Sequence, residues 1–376
     1  MITVKMVCEE NMCAGCMACL ETCPKHAIKI VDNLEYYNAF IDSSSCISCA
    51  ACHNVCQQLH PSMKAKPSQW YQGWTRREKI RGKASSGGIA TELINSFLEE
   101  GGYVASCTFY SGEFCFRLSS LETTINDYAG SKYVKSNPNG IYKKISNILH
   151  NHKVLFIGLP CQVSAIKNFC KNDENLYTVD LICHGSPSPK LLEIFLFQHG
   201  DVLEKLENIS FRNKSQYQVY KFENNKWIGI EREGVMDCYS IAFLKGLCYT
   251  ENCYHCCYAS LDRVGDLTIG DSWGSELSAS EKENGISLIL CQTTKGKKLL
   301  SNSNIVLRPV DLDKAISNNR QLIEPTKKPE KRENFFQLLE AETEFDDIIR
   351  KVYPKTFYKQ IVKKILIMLG WFHYGK

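Results

Sequence analysis

Two matching cysteine runs, Cys13-x-x-Cys16-x-x-Cys19-x-x-x-Cys23-Pro24 and Cys46-x-x-Cys49-x-x-Cys52-x-x-x-Cys56, carry the most explicit chemistry in this chain. Three thiolates at two-residue gaps can hold three corners of one 4Fe-4S cube. The fourth lies too far along to close that cube and reaches across to a second one. The spacing therefore assigns Cys13, Cys16, Cys19 and Cys56 to one cluster, and Cys46, Cys49, Cys52 and Cys23 to the other. Zinc sites use separated cysteine pairs rather than three thiols in one tight run. The runs recur about 33 residues apart as halves of a pseudo-symmetric unit. Short strands are expected between them at residues 27–31 and 39–42. Gln57 stands where the first run has Pro24, which touches the shape of the turn and not ligation.

Four further cysteines stand where strands should end. Cys161 follows the apolar run Val154 to Ile157 through Gly158-Leu159-Pro160, Cys183 follows Val179 to Ile182, and Cys253-Tyr254-His255-Cys256 adds a C-x-x-C pair. Two neighbouring parallel strands would present the first two thiolates side by side at their C-terminal ends. Spacing alone leaves two readings open, a third cluster or small core residues, because buried cysteine is common in cores. Ser85-Ser86-Gly87-Gly88 precedes a helical run at 89–94, where backbone N–H groups can face a phosphate. The segment holding Lys132, Tyr133 and Ser136 adds cationic and hydroxyl groups. A plain helix-starting turn and a solvated loop are the competing readings. His184 is a candidate proton donor, set against an ordinary hydrogen-bonding histidine in a turn.

The elements that must hold these residues follow from periodicity. Residues 1–60 read as a dicluster module, and 61–68, with Pro61 and Pro67, as a linker. From residue 69 to 205 helices (89–98, 141–149, 162–170) alternate with strands (103–110, 153–158, 177–183), the pattern of a layered α/β domain. Residues 206–335 hold short alternating runs at 226–231, 266–270 and 286–292 that imply a mixed sheet or insertion. The tail, 336–376, reads as helical.

The chain has 376 residues, twenty cysteines and a formal net charge of +4. Residues Met1 to Val7 show no signal-peptide core, and so many thiols fit the reducing cytoplasm. Each oxidised cluster with its four thiolates adds about −2, which moves the balance to zero or below and removes any case for nucleic acid from bulk charge. No apolar run reaches the roughly 20 residues that span a bilayer. The segment Ile361 to Phe372, interrupted by Lys363 and Lys364, is expected to be a terminal helix packed on its own domain; a helix lying on a membrane surface or a partner is the alternative.

Six separated motifs stand in one order: Ser86-Gly87-Gly88-Ile89, Ser131-Lys132-Tyr133, Gly158-Leu159-Pro160-Cys161-Gln162, Ile182-Cys183-His184-Gly185, Cys253-x-x-Cys256, and Arg263-Val264-Gly265-Asp266 through Asp271-Ser272-Trp273-Gly274. In this the chain, from residue 1 to about 335, resembles the coenzyme F420 hydrogenase/dehydrogenase beta-subunit family with a fused two-cluster ferredoxin module. The resemblance implies an α+β ferredoxin-like dicluster domain followed by an α/β flavin-binding domain with a mixed sheet and a helical C-terminus. It implies FAD, contacted by Ser85, Ser86, Gly87, Gly88, Lys132, Tyr133 and Ser136, and a third 4Fe-4S cluster on Cys161, Cys183, Cys253 and Cys256. Arg263, Asp266 and Asp271 are expected to order the loop beside the C-x-x-C pair, and the other eight cysteines, Cys8 and Cys257 among them, to be structural, with Cys257 able to replace Cys256. The implied activity passes electrons between clusters and FAD, to or from a hydride carrier such as coenzyme F420 or another reducible substrate, with a redox partner protein or ferredoxin. A non-catalytic electron-transfer subunit and a metal-stabilised interaction module are the rivals.

Overall fold

The structure, a computed structural model, describes residues 5–121, 125–171 and 173–371, so Phe372 and the end of the expected tail lie outside it, as do residues 1–4. Strands β1 (Lys5–Met6), β2 (Ile28–Asp32) and β3 (Tyr37–Ile41) form an antiparallel sheet in the order β1-β3-β2. The two cysteine runs beside it follow the same backbone path. Gly15 and Met17 have φ of 67° and 60°, and their counterparts Ser48 and Ala50 have 55° and 57°. Each run then makes a short helix, Ala18–Thr22 or Ala51–Val55, and leaves it through an extended cysteine, Cys23 (ψ 115°) or Cys56 (ψ 116°). The sequence repeat is thus a repeat in dihedral angles, and Gln57 in place of a proline leaves it unchanged. Left-handed backbone at Met17, Ser48 and Ala50 costs roughly 1–2 kcal/mol per residue, strain that is tolerated where the surroundings dictate it.

The remaining strands are β4 (Gln69–Thr75), β5 (Tyr103–Tyr110), β6 (Glu113–Ser119), β7 (Val154–Gly158), β8 (Leu176–Leu181), β9 (Asn208–Asn213), β10 (Gln216–Glu223), β11 (Lys226–Gly229), β12 (Leu267–Asp271), β13 (Ser287–Cys291) and β14 (Ile305–Arg308). Eight of them form one sheet in the order β14-β4-β13-β12-β8-β7-β5-β6. Its centre, β12-β8-β7-β5, is parallel and its flanks are antiparallel. Every residue of β7 is buried, as a strand covered on both faces must be. Ile89, Leu93 and Phe97 pack with Leu155, Ile157 and Val179 on one face, and Ile141, Ile145, Val163 and Ile166 with Val154 and Phe156 on the other. Residues 69–205 and 206–335 both supply strands to this sheet, so they are two parts of one body. The segment 61–68 is tied down along its length: Ser164 Oγ accepts from the Ser62 amide, Ala65 bridges Arg263, and the Ser68 amide donates to the Cys291 carbonyl.

Strands β9, β10 and β11 make a separate antiparallel sheet. Phe211 and Val219 from it are buried with Phe195 and Tyr239, and with Phe335, Phe345 and Ile348 of the tail helices Arg332–Glu340 and Phe345–Val352. The last helix, Pro354–Met368, departs from the expectation of an ordinary packed helix. None of its residues is buried, because the preceding two helices already close that core. It rests on the body through Phe357, half-buried against that core, Gln360, which accepts from the Met236 amide, and Lys364, paired with Glu231, and leaves Tyr358, Val362, Ile365 and Met368 exposed. No helix among the described residues is long and apolar enough to cross a membrane.

Candidate redox centres and cofactor cavity

Cys13, Cys16, Cys19 and Cys56 line one small cavity, and Cys23, Cys46, Cys49 and Cys52 line another. These are the two crossed sets that the spacing assigns. The short helix Ala18–Thr22 carries the chain from Cys19 in one cavity to Cys23 in the other, and its counterpart Ala51–Val55 carries it back from Cys52 to Cys56. Backbone amides already point at sulfur, Gly15 to Cys13 and Ser48 to Cys46, both at 3.4 Å, and Ala27 to Cys23 at 3.3 Å. Such N–H···S contacts favour a thiolate and tune a cluster's potential. Among the described residues no three His, Cys, Asp or Glu groups close on a point the size of a single ion. Cys8, expected to be structural, lies in the first cavity, where the neighbouring thiols of Cys13 and Cys56 push its own far up. The same neighbour lowers Cys56.

Cys161, Cys183, Cys253 and Cys256 come together around a third cavity, whose wall also includes Ala14, Gln57, Gln58 and Lys135. Strands β7 and β8 are parallel neighbours, as the two-thiolate arrangement requires. Cys161 is not in the turn after β7, however. Pro160, with its fixed φ, occupies the first position of helix Pro160–Phe169 and places Cys161 in that helix's first turn. Burial and the facing thiols push Cys183 up to about 12 and Cys256 to about 11. Coordination to iron is the chemistry that deprotonates thiols in such a place. Cys257 lines this cavity too and is solvent-exposed.

Arg263 locks the loop that follows the C-x-x-C pair. It donates to Asp180 Oδ1 through Nη2 at 2.6 Å and Nε at 3.0 Å, and to the carbonyls of Tyr258 and Leu181. Asp180 Oδ2 accepts from the Gly265 amide at 2.7 Å. Both side chains are buried, and Asp180 stands on β8 shortly before Cys183. The other two acids of that motif act elsewhere. Asp266 accepts from Thr178 and Thr293, and Asp271 pairs with Arg212.

A cavity of about 440 Å³ adjoins the third one and shares Leu159, Cys183, His184, Gly185 and Ser186 with it. Its size and largely apolar wall suit an organic cofactor. Ser85, Ser86, Gly88, Lys132, Tyr133 and Ser136 line it, and Gly87 does not. A Cβ on Gly87 would stand 2.4 Å from the Gly73 carbonyl, so this glycine serves the packing of the turn against β4. Gly88 has φ +78° and starts helix Ile89–Glu99 with no side-chain cap, which leaves the first-turn N–H groups at the cavity wall for an anion. The Lys132 ammonium donates to the carbonyls of Tyr128 and Ala129 at 3.0 and 2.8 Å, which uses two of its three N–H groups. Ser136 Oγ accepts from Gln162, whose other amide atom holds the Leu159 N–H. Tyr133 stacks on Phe243, ring centroids 4.3 Å apart, and on Tyr217. His184 faces both cavities; burial lowers its pKa, and its Nδ1 accepts from Gln321 at 3.1 Å, which leaves the proton on Nε2.

Sequence reasoning did not single out Lys135 from the other groups of its loop, and it missed Arg212 and the aromatic wall of Tyr217 and Phe243; Asp271 and Trp273 stood in the last motif without their partners. Arg212, Tyr217 and Phe243 carry no local motif. Arg212, on β9, meets Asp271, on β12, only through the fold, and its guanidinium also lies over the rings of Tyr217 and Trp273.

With this geometry established, three family models align with the chain. Two describe the coenzyme F420 hydrogenase/dehydrogenase beta subunit, the model of its N-terminal part matching residues 70–140 and the model of its C-terminal part matching 151–311. The third, "4Fe-4S dicluster domain", matches 12–58. The chain is 20% identical over 294 residues to the F subunit of F(420)H(2) dehydrogenase from Methanosarcina mazei, an alignment covering 73% of this chain and 81% of the relative. A chain in the F420-reducing [NiFe] hydrogenase complex of Methanosarcina barkeri superposes with a TM-score of 0.48 at 18% identity, over 71% of this chain and 97% of that one.

Proposed function

The chain belongs to the coenzyme F420 hydrogenase/dehydrogenase beta-subunit family and carries a fused 4Fe-4S dicluster domain, and from that premise we propose that it is an iron-sulfur flavoprotein oxidoreductase. Cys13, Cys16, Cys19 and Cys56 hold one 4Fe-4S cluster, Cys46, Cys49, Cys52 and Cys23 a second, and Cys161, Cys183, Cys253 and Cys256 a third. FAD occupies the 440 Å³ cavity. Bound there, the clusters supply one-electron carriers and the flavin a two-electron hydride centre. The observation that carries this reading is the order of the cavities. The first two are joined by the short helices, the first and third share Ala14, Gln57 and Gln58, and the third and the largest share Cys183 to Ser186.

The chain's own groups then have distinct tasks. The first turn after Gly88 faces the diphosphate, the Arg263–Asp180 pair holds the third ligand set together, and His184 keeps a proton on Nε2 between the third cavity and the largest. Cys49 and Ile47 are exposed beside the second cluster, where a ferredoxin or another redox protein can dock. The relatives' names point to coenzyme F420 or a comparable hydride carrier as the second substrate. Anaerobic purification should give about twelve irons and one FAD per chain. Eight irons without flavin would sink the proposal. Turnover with a reduced viologen and a hydride acceptor identifies an enzyme, and cluster reduction without turnover identifies a relay.

A further inference from the structure

Among the described residues no acid answers the charge of Lys135. It is 6% exposed, its Nζ donates to the Ala14 carbonyl at 3.1 Å, and it lies 5.2 Å from the centre of the Tyr37 ring. It forms no ion pair with a carboxylate among the described residues, and the nearby Asp32 accepts instead from the Tyr37 hydroxyl at 2.8 Å. One hydrogen bond and one ring contact return less than burying an unpaired ammonium costs. The missing counter-charge must come from something else.

Two ligand sets flank this ammonium. Ala14 lies between Cys13 and Cys16 in the first cluster loop, and Lys135 itself lines the third cavity with Cys161 and Cys183. The loop is shaped around the lysine: Gly15 has φ +67°, and a Cβ there would stand 3.0 Å from Lys135 Cδ. A 4Fe-4S cluster with four thiolates carries about −2 when oxidised and one more negative charge when reduced. Resting on the assignment of these two ligand sets to clusters, we propose that Lys135 is a shared counter-ion of the first and third clusters and raises both their reduction potentials. A fixed positive charge favours the form holding the extra electron. When one electron leaves the first cluster and arrives at the third, the total charge around Lys135 is the same before and after.

The test is an anaerobic redox titration followed by electron paramagnetic resonance on the full-length holoprotein, comparing Lys135→Gln, Lys135→Met and Lys135→Arg with wild type. Lys135→Gln keeps a donor for the Ala14 carbonyl and removes the charge. With iron retained, the expected result is lower midpoints for the first and third clusters, an unchanged second cluster, and Lys135→Arg close to wild type. Unchanged midpoints, or a shift in only one of the two clusters, overturn the proposal. If both neutral variants lose iron, retention by Lys135→Arg supports charge compensation, and loss in Lys135→Arg overturns it. A wild-type protein with eight irons removes the third-cluster assignment itself, an outcome legible before any variant is made.

Discussion

Replacing Asp180 with alanine leaves the Arg263 guanidinium buried without its carboxylate, since Asp180 is its ion-pair partner among the described residues. The same change orphans the Gly265 amide. Removing one partner of a buried pair costs about 3–5 kcal/mol, most of it the penalty of the charge left behind. Because every 1.4 kcal/mol is tenfold, the opening equilibrium of the loop from Tyr258 to Asp266 should rise roughly 10²- to 10⁴-fold. Native-state hydrogen exchange reads this directly, as faster exchange at Gly265 and its neighbours while the amides of β5 and β6 keep their protection. The loop follows the Cys253–Cys256 pair, so the cluster proposed there should be lost first, with the proposed N-terminal clusters retained. The double variant Asp180→Leu with Arg263→Met leaves no buried charge and should recover most of the protection. Wild-type exchange and full iron in Asp180→Ala, or a double variant as open as the single one, would refute the electrostatic argument.

Cys161→Ala should lower bound iron by about four atoms per chain with the N-terminal clusters intact, and unchanged iron would return Cys161 to the status of a core residue. Gly88→Val forces a β-branched residue to φ +78° with its Cβ 2.9 Å from Thr75 Cγ2, so extracted FAD should fall severalfold while iron stays constant; full flavin occupancy would contradict the cavity assignment. His199 is raised from 6.5 to about 9 by the Asp346 carboxylate beside it, 3.6 Å away at the start of a tail helix. A raised pKa means that this stabilisation is complete below pH 6.5 and disappears as pH rises through about 9. Limited proteolysis of the tail should therefore speed up across that window, and the same profile in His199→Leu would show that the histidine is not responsible.

The residues that announce themselves are those whose neighbours in sequence are also their neighbours in function. The cysteine runs fold as two copies of one turn, and the period of apolar residues placed the strand at 103–110 with the bounds it has in the structure. What stayed hidden is long-range. Gln69–Thr75 alternates weakly and becomes β4 only because β13 and β14 pair with it from either side. Cys161 could be placed near its partners, yet not in a helix, because the proline before it starts one as readily as it ends a turn. Lys135 looked like one cation among several in a loop; its meaning depends on Ala14, 121 residues away. The terminal apolar segment shows the converse, a local pattern that promises burial and finds the core already closed.

The cavity beside Cys49 and the 440 Å³ cavity share no lining residue. With clusters and flavin bound as proposed, donor and acceptor therefore have separate doors, and neither needs to leave before the other arrives. Steady-state kinetics should show no competition between a protein donor and a small acceptor. Two successive donor visits can be separated in time from the single hydride departure, since the charge delivered by the first waits inside the protein. Turnover then follows the slower of two independent encounters, and the cell can vary either concentration without the two partners jamming one another.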